Sequence, residues 1–99
     1  MGKETQYYVY ILTTRFNSVL YTGMTHNLKQ RVLEHREGLV DGFTKTYKTH
    51  KLVYYEVAED LDSALYREKQ IKNYSRATKI LLIHGMNLHW KDLYPEIQD

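Results

Sequence analysis

Residues 6–24 read QYYVYILTTRFNSVLYTGM, which is two runs of aromatic and β-branched residues separated by a short polar segment. Runs of this kind favour β-strands, and the Asn17-Ser18 pair between them is typical of a turn. This order predicts a β-hairpin with strands at residues 6–12 and 19–24. The rest of the predicted fold is built around this hairpin.

Side chains along the two predicted strands alternate between the faces of the sheet. Alternation places Tyr8, Tyr10 and Leu12 together on one face, and it places Tyr21 and Gly23 on one face of the second strand. Tyr10 and Tyr21 can therefore share a face. Gly23 removes a side chain beside Tyr21, which either marks a bulge or lets another part of the backbone approach closely.

One further strand and three helices follow the hairpin. Alternation predicts the strand at residues 52–57, with Val53, Tyr55 and Val57 on one face. The predicted helices run from the N-cap Asn27 to near Gly38, from Asp60 or Asp62 to near Ser75, and over residues 76–86 with Ile80, Leu81 and Ile83 partly buried. Residues 38–50 between the first helix and the third strand are predicted to form a loop.

These elements predict an α/β fold of the α+β type, in the order strand, strand, helix, strand, helix, helix. A small three-stranded antiparallel sheet is flanked by the helices. The chain of 99 residues has the length of one domain. We expect that domain to span residues 1–99, with a core over about residues 6–86 and a tail over 87–99 that Trp90, Leu93 and Tyr94 anchor.

The first predicted helix turns ionisable residues toward the core. Helical spacing places Arg31 and His35 one turn apart, so their side chains point the same way. A single inward histidine is usually a satisfied core residue, and a single arginine at the edge of an apolar face usually extends to solvent. The predicted inner face consists of Leu28, Val32, His35 and Leu39.

The second predicted helix carries a carboxylate within its apolar stripe, because Leu61, Leu65, Glu68 and Lys72 fall on one side at 100° per residue. Burial of an unpaired carboxylate is costly, so Glu68 needs a cation, a set of strong donors or a metal ion. From this helix alone, an ion pair with Lys72 or an arginine and a metal site are both open.

The composition restricts the chemistry further. There is no cysteine, which excludes disulfides, thiolate metal ligands and cysteine nucleophiles and fits a cytoplasmic location. The apolar stretch near the start is too short for a signal peptide or a membrane span. Ten tyrosines supply hydroxyls that can bind a phosphate oxygen or pass a proton. Five basic residues lie close together in the sequence, namely Arg67, Lys69, Lys72, Arg76 and Lys79. They form either a surface that binds a polyanion or an ordinary solvated helix face.

The same residues resemble the GIY-YIG nuclease superfamily. Tyr8-Val9-Tyr10 and Tyr21-Thr22-Gly23 stand where the family has its two tripeptides, although Tyr8-Val9 and Thr22 depart from the family pattern. The family's arginine and histidine, four residues apart on the first helix, are matched by Arg31 and His35, and its metal-binding glutamate by Glu68. The chain looks closest to the small single-domain bacterial members of the UPF0213 type.

The resemblance implies hydrolysis of phosphodiester bonds in nucleic acid, with DNA preferred over RNA and no membrane or protein partner indicated. Glu68 would bind one Mg2+ or Mn2+, since one carboxylate is too few for two ions. The implied catalytic residues are Tyr10, Tyr21, Arg31, His35 and Glu68. The residues expected to contact nucleic acid are Gly23, Lys45, Lys72 and Asn87, with Asn87 standing for an asparagine near the family's C-terminal end.

Two other functions fit the same fold. A nucleic-acid-binding module with an idle site would use the basic residues and would bind without cleavage. An interaction protein would use the buried polar residues as a structural network and the tail around Trp90 as its contact surface. The second alternative predicts that Glu68→Ala destabilises the fold, because a buried ion pair would lose one partner.

Overall fold

The computed structural model describes residues 5–39 and 48–97. Its strands are β1 (Tyr7–Thr13), β2 (Leu20–Thr25) and β3 (Lys51–Ala58). Its helices are α1 (Leu28–Arg36), α2 (Leu61–Lys72) and α3 (Arg76–Met86), followed by a short 3-10 helix at Tyr94–Glu96. The predicted element order and fold class are confirmed. Within the described ranges, no helix is long and apolar enough to cross a membrane.

The three strands form one antiparallel sheet in the order β2-β1-β3, so the first strand of the predicted hairpin lies in the centre. One face packs Val9 and Ile11 against α2 and α3. The other face packs Tyr10 and Leu12 against α1 and the tail. Because Tyr10 pairs with Gly23 and Leu12 pairs with Tyr21, the predicted common face of Tyr10 and Tyr21 is confirmed.

The predicted faces of β3 are wrong at Leu52 and Val53. The pairing of β1 with β3 shifts between Ile11 and Leu12, so that Val53 is an extra residue in the β3 ladder. Val53 and Tyr54 therefore pack into the same cluster, whereas Tyr55 turns to the opposite face with Tyr10. A bulge of this kind interrupts the alternation, and alternation alone could not reveal it.

Capping side chains start all three helices. Asn27, Asp60 and Ser75 each accept a hydrogen bond from the backbone N–H three residues later. The end of α1 is set by Gly38, whose φ of 71° lies in the left-handed region. The chain turns away there and leaves Leu39 71% exposed, so its predicted place on the inner face is wrong.

Three leucines that helical spacing places on the buried faces of α2 and α3 are exposed instead. On α2, Leu61 and Leu65 are exposed, whereas Ala64 and Ile71 are fully buried. On α3, Leu81 is 70% exposed. The small side chain of Ala64 packs against the sheet. As a result, α2 turns a different side toward the sheet from the one that its leucines predict.

Arg67 on α2 connects the helix to β3 through a polar network. Its Nε donates to Glu56 at 2.8 Å, its Nη1 donates to the Tyr74 hydroxyl at 3.1 Å, and Tyr54 donates to the same carboxylate. Burial acts to raise the pKa of Glu56, but hydrogen bonds from Arg67 and Tyr54 outweigh it and hold that pKa below its ordinary value. Burial and the neighbouring carboxylate raise the pKa of Tyr54 to about 12.

Arg67→Met is expected to lower the free energy of unfolding by about 1–3 kcal/mol at neutral pH, since Glu56 loses a charged donor while it stays partly buried. A carboxylate with a lowered pKa stabilises the fold above its ordinary pKa and loses that effect as the pH falls through its folded value. The difference from wild type should therefore shrink in acid. Urea unfolding at neutral and acidic pH measures it, with the exposed Lys69→Met as the matched control.

Candidate active site

Tyr10 and His35 form a buried polar pair between the sheet and α1. Tyr10 is 2% exposed and His35 is fully buried, and the Tyr10 Oη lies 3.0 Å from the His35 Nε2. The hydroxyl donates when Nε2 is unprotonated and accepts when Nε2 carries the proton. A buried pair of this kind can hold a proton at a defined atom, which is the requirement of acid–base chemistry.

Gly23 on β2 is the position that admits the Tyr10 ring. A Cβ atom at Gly23 would lie 2.4 Å from the Tyr10 Oη and 2.5 Å from its Cζ. The tyrosine hydroxyl thus occupies the space of the missing side chain. Of the two explanations that the sequence left open, close approach is correct, although the approaching group is a side chain and not a backbone segment.

Tyr21 lies beside this pair and is partly exposed. Its ring centroid is 6.5 Å from that of Tyr10 and 5.2 Å from that of His35. Arg31 lies one helical turn before His35, keeps 39% of its side chain exposed and makes a 3.7 Å contact with Glu34. An exposed ion pair of this length is weak, so the guanidinium can turn to a ligand at low cost.

Glu68 extends from α2, on the opposite face of the sheet from Tyr10. It lies between the buried Ala64 and Ile71, and 19% of its side chain is exposed. Its Oε2 is 3.1 Å from the Lys72 Nζ. The ion pair considered from the sequence is therefore present, and because Lys72 is 53% exposed, the lysine can move away from the carboxylate.

The helix that carries Glu68 and the Tyr21 ring lie on opposite faces of the sheet. The α2 helix packs across β1 and β2, and β2 is an edge strand.

The remaining predicted site residues lie elsewhere. The Asn87 amide caps the end of α3, donates to the Val53 and Lys91 carbonyl oxygens and accepts from the Lys91 N–H. These contacts hold α3 against β3 and the tail, so Asn87 has a structural role. Lys45 lies outside the described residues. Of the predicted basic cluster, Arg67 is engaged with Glu56, and Arg76 with the β1–β2 turn.

Comparison with known proteins shows which family the chain belongs to. Residues 6–80 match the family model of the GIY-YIG catalytic domain. The chain belongs to the GIY-YIG family. The matched range contains the GIY-YIG residues predicted from the motifs, from Tyr10 to Glu68, and ends before Asn87.

Several GIY-YIG relatives are UPF0213 proteins. The chain is 44% identical to one from Syntrophus aciditrophicus over 77% of this chain and 87% of that protein. It is 38% identical to one from Clostridium perfringens over 91% of this chain and 96% of that protein. The solution NMR structure of a UPF0213 protein from Bacillus halodurans is 26% identical, covers 88% of this chain and 92% of its own, and superposes with a TM-score of 0.55.

The sequence did not reveal one ion pair beside the site. Arg36 follows His35, ion-pairs with Asp92 in the tail and lies over the Tyr94 ring, with its Cζ 4.4 Å from the ring centroid. Asp92 also accepts from the Leu52 N–H. The pairing joins residues 56 positions apart, so no periodic pattern could have shown it.

Proposed function

We propose that this protein is an endonuclease that hydrolyses phosphodiester bonds of DNA with one divalent metal ion. The observation that carries the proposal is the buried Tyr10–His35 pair, with its 3.0 Å contact, beside the partly exposed Tyr21 in a GIY-YIG domain. A proton-holding pair behind a phosphate-binding hydroxyl is suited to hydrolysis.

The donor chemistry fits a single hard cation held by Glu68. Across residues 5–39 and 48–97 there is no group of three or more histidine or acidic side chains that could enclose a metal by themselves. Mg2+ commonly binds through one carboxylate and fills its remaining positions with water and substrate phosphate oxygens. Such an ion would neutralise charge on the scissile phosphate and stabilise the leaving oxygen.

The protein's own residues divide the remaining work according to their exposure. Tyr21, which is partly exposed, donates its hydroxyl to a phosphate oxygen at the edge of β2. Arg31 pairs with the charge that develops on the phosphate in the transition state. We assign Tyr10 to orienting the attacking water next to Tyr21, or to taking its proton while the hydroxyl proton of Tyr10 passes to the His35 Nε2, 3.0 Å away.

A cleavage assay tests the proposal. The protein is incubated with labelled single-stranded, duplex and branched DNA and with RNA, in Mg2+, in Mn2+ and in chelator, and Glu68→Gln purified in parallel controls for contaminating nucleases. We expect DNA cleavage that requires the metal and is lost in Glu68→Gln. Binding without cleavage on every substrate, even at high protein concentration, would instead support the idle binding module.

A further inference from the structure

A cavity of about 460 Å³ lies at the end of the sheet where the β1–β2 turn meets the end of α1 and the start of β3. We call it the hairpin cavity. Its lining includes Arg15, Phe16, Arg36, Lys51 and Asp92. None of them belongs to the site described above.

The hairpin cavity is strongly basic. Arg15, Arg36, Lys48 and Lys51 line it, against the single carboxylate of Asp92. Burial lowers the pKa of Lys51, while Asp92 acts to raise it. Cationic groups that lose hydration beside one another favour an anionic ligand, because its charge relieves their repulsion.

An exposed aromatic ring stands at the mouth of the cavity. Phe16 is 80% exposed, and the Arg15 Cζ lies 5.3 Å from its ring centroid. An exposed aromatic ring next to cations is a common platform for nucleic-acid bases. The Phe16 ring can stack on a ligand while the Arg15 guanidinium pairs with a negative charge on the same ligand.

The turn that carries Phe16 is held in place by hydrogen bonds. The Ser18 N–H donates to the Thr14 hydroxyl at 2.9 Å, and Asn17 adopts a φ of 61° that completes the turn. From α3, the Arg76 Nη2 donates to the Asn17 carbonyl oxygen at 2.8 Å. The exposed ring is therefore presented by an ordered turn, which lowers the entropy cost of binding.

The hairpin cavity continues the face that carries Tyr10 and Tyr21. Arg36 is the neighbour of His35, and Asp92 is the neighbour of Leu93, which packs into the same cluster as Tyr10. Thr14 at the cavity lies four residues after Tyr10, which is about 13 Å along an extended strand. A few nucleotides of one strand span such a distance.

We propose that the hairpin cavity binds a backbone phosphate of a single nucleic-acid strand and that Phe16 stacks on an unpaired base of that strand. The inference rests on the proposed function only in taking the bound strand as the one that is cut. Stacking on Phe16 needs an accessible base face, which a continuous duplex does not offer. The substrate class that follows is single-stranded DNA, or a duplex with a frayed or unpaired segment.

Binding in the presence of chelator tests the inference without relying on cleavage. The probes are a short fluorescein-labelled single-stranded DNA and a duplex of the same length, followed by anisotropy at several salt concentrations. Arg15→Ala and Lys51→Ala should each raise the Kd about 3- to 10-fold at low salt and reduce the salt slope by about one. Lys69→Ala removes an equal charge from the exposed side of α2 and should change the Kd less than about 2-fold.

Phe16→Ala separates stacking from charge. It should raise the Kd for the single strand about 5- to 30-fold and leave duplex binding unchanged, because only unpaired bases stack on the ring. Its high exposure means that the substitution should spare the fold, which circular dichroism checks. Equal losses for both probes would overturn the stacking role, and Arg15→Ala and Lys51→Ala that behave like Lys69→Ala would overturn the cavity as a binding site.

His50 reports on the cavity in the unmodified protein. Burial, Arg36 and Lys48 lower its pKa, so a phosphate bound in the cavity should raise that pKa, as followed by the NMR shift of the ring proton. An unchanged pKa at saturating oligonucleotide would contradict the inference. Strand binding without metal-dependent cleavage would leave this inference standing and overturn the proposed endonuclease activity instead.

Discussion

Glu68→Gln is expected to lower the rate of metal-dependent DNA cleavage roughly 1000-fold, while DNA binding in chelator stays within about 3-fold of wild type. Glutamine keeps the shape of the side chain but removes the charge that would hold the ion. A bound metal contributes several kcal/mol to the transition state, and about 4 kcal/mol corresponds to this loss. Single-turnover cleavage rates in Mg2+ and Mn2+ measure it.

The same variant distinguishes a metal ligand from a structural ion pair. Lys72 is 53% exposed, so loss of its contact with Glu68 should cost less than about 1 kcal/mol of unfolding free energy. Lys69→Gln, on the same helix, controls for a change of one charge. The endonuclease proposal fails if Glu68→Gln cleaves like wild type, and a loss of a few kcal/mol in both Glu68→Gln and Lys72→Gln would favour the structural network.

Gly23→Ala is expected to destabilise the fold by about 2–4 kcal/mol and to abolish cleavage. The new methyl group would lie 2.4 Å from the Tyr10 Oη, and Tyr10 is 2% exposed, so its ring has little room to move. Displacement of the ring also breaks the contact with His35. Urea unfolding at constant m-value measures the change in stability.

Gly85→Ala is the matched control for this substitution. Gly85 lies within α3, and a Cβ atom there would meet nothing within 4 Å. Alanine favours the helix over glycine, so this variant should gain about 0.5–1 kcal/mol. The two glycine-to-alanine changes should therefore have opposite signs.

A double-mutant cycle locates the origin of the Gly23 effect. In the background of Tyr10→Ala, the atoms that clash with a methyl group at position 23 are absent, so Gly23→Ala should then cost little. An unchanged cost in that background would show that the glycine serves the backbone of β2 and not the Tyr10 ring.

Local pattern was sufficient for the fold. Strand alternation, the turn between the runs and the capping residues Asn27, Asp60 and Ser75 act over a few positions, and the structure has the predicted order of elements. The common face of Tyr10 and Tyr21 followed from the same alternation. These features depend on the geometry of one element or one hairpin.

The rotation of the helices was harder to predict. Helical spacing gives the angles between side chains of one helix, but the direction that faces the sheet depends on the surface it meets. Leu61 and Leu65 define an apolar stripe on α2, yet Ala64 and Ile71 are the residues that pack. Val53 shows the same limit in β3, where a bulge changes the face of the residues before it.

The sequence by itself determined the family, the order of the elements and the common face of Tyr10 and Tyr21. Only the tertiary structure decided that the Tyr10 hydroxyl occupies the side-chain space of Gly23, and that Arg36 pairs with Asp92. It also created the basic hairpin cavity from the β1–β2 turn, the end of α1, the start of β3 and the tail. Periodicity belongs to a single element, whereas these contacts depend on how elements distant in the chain pack together.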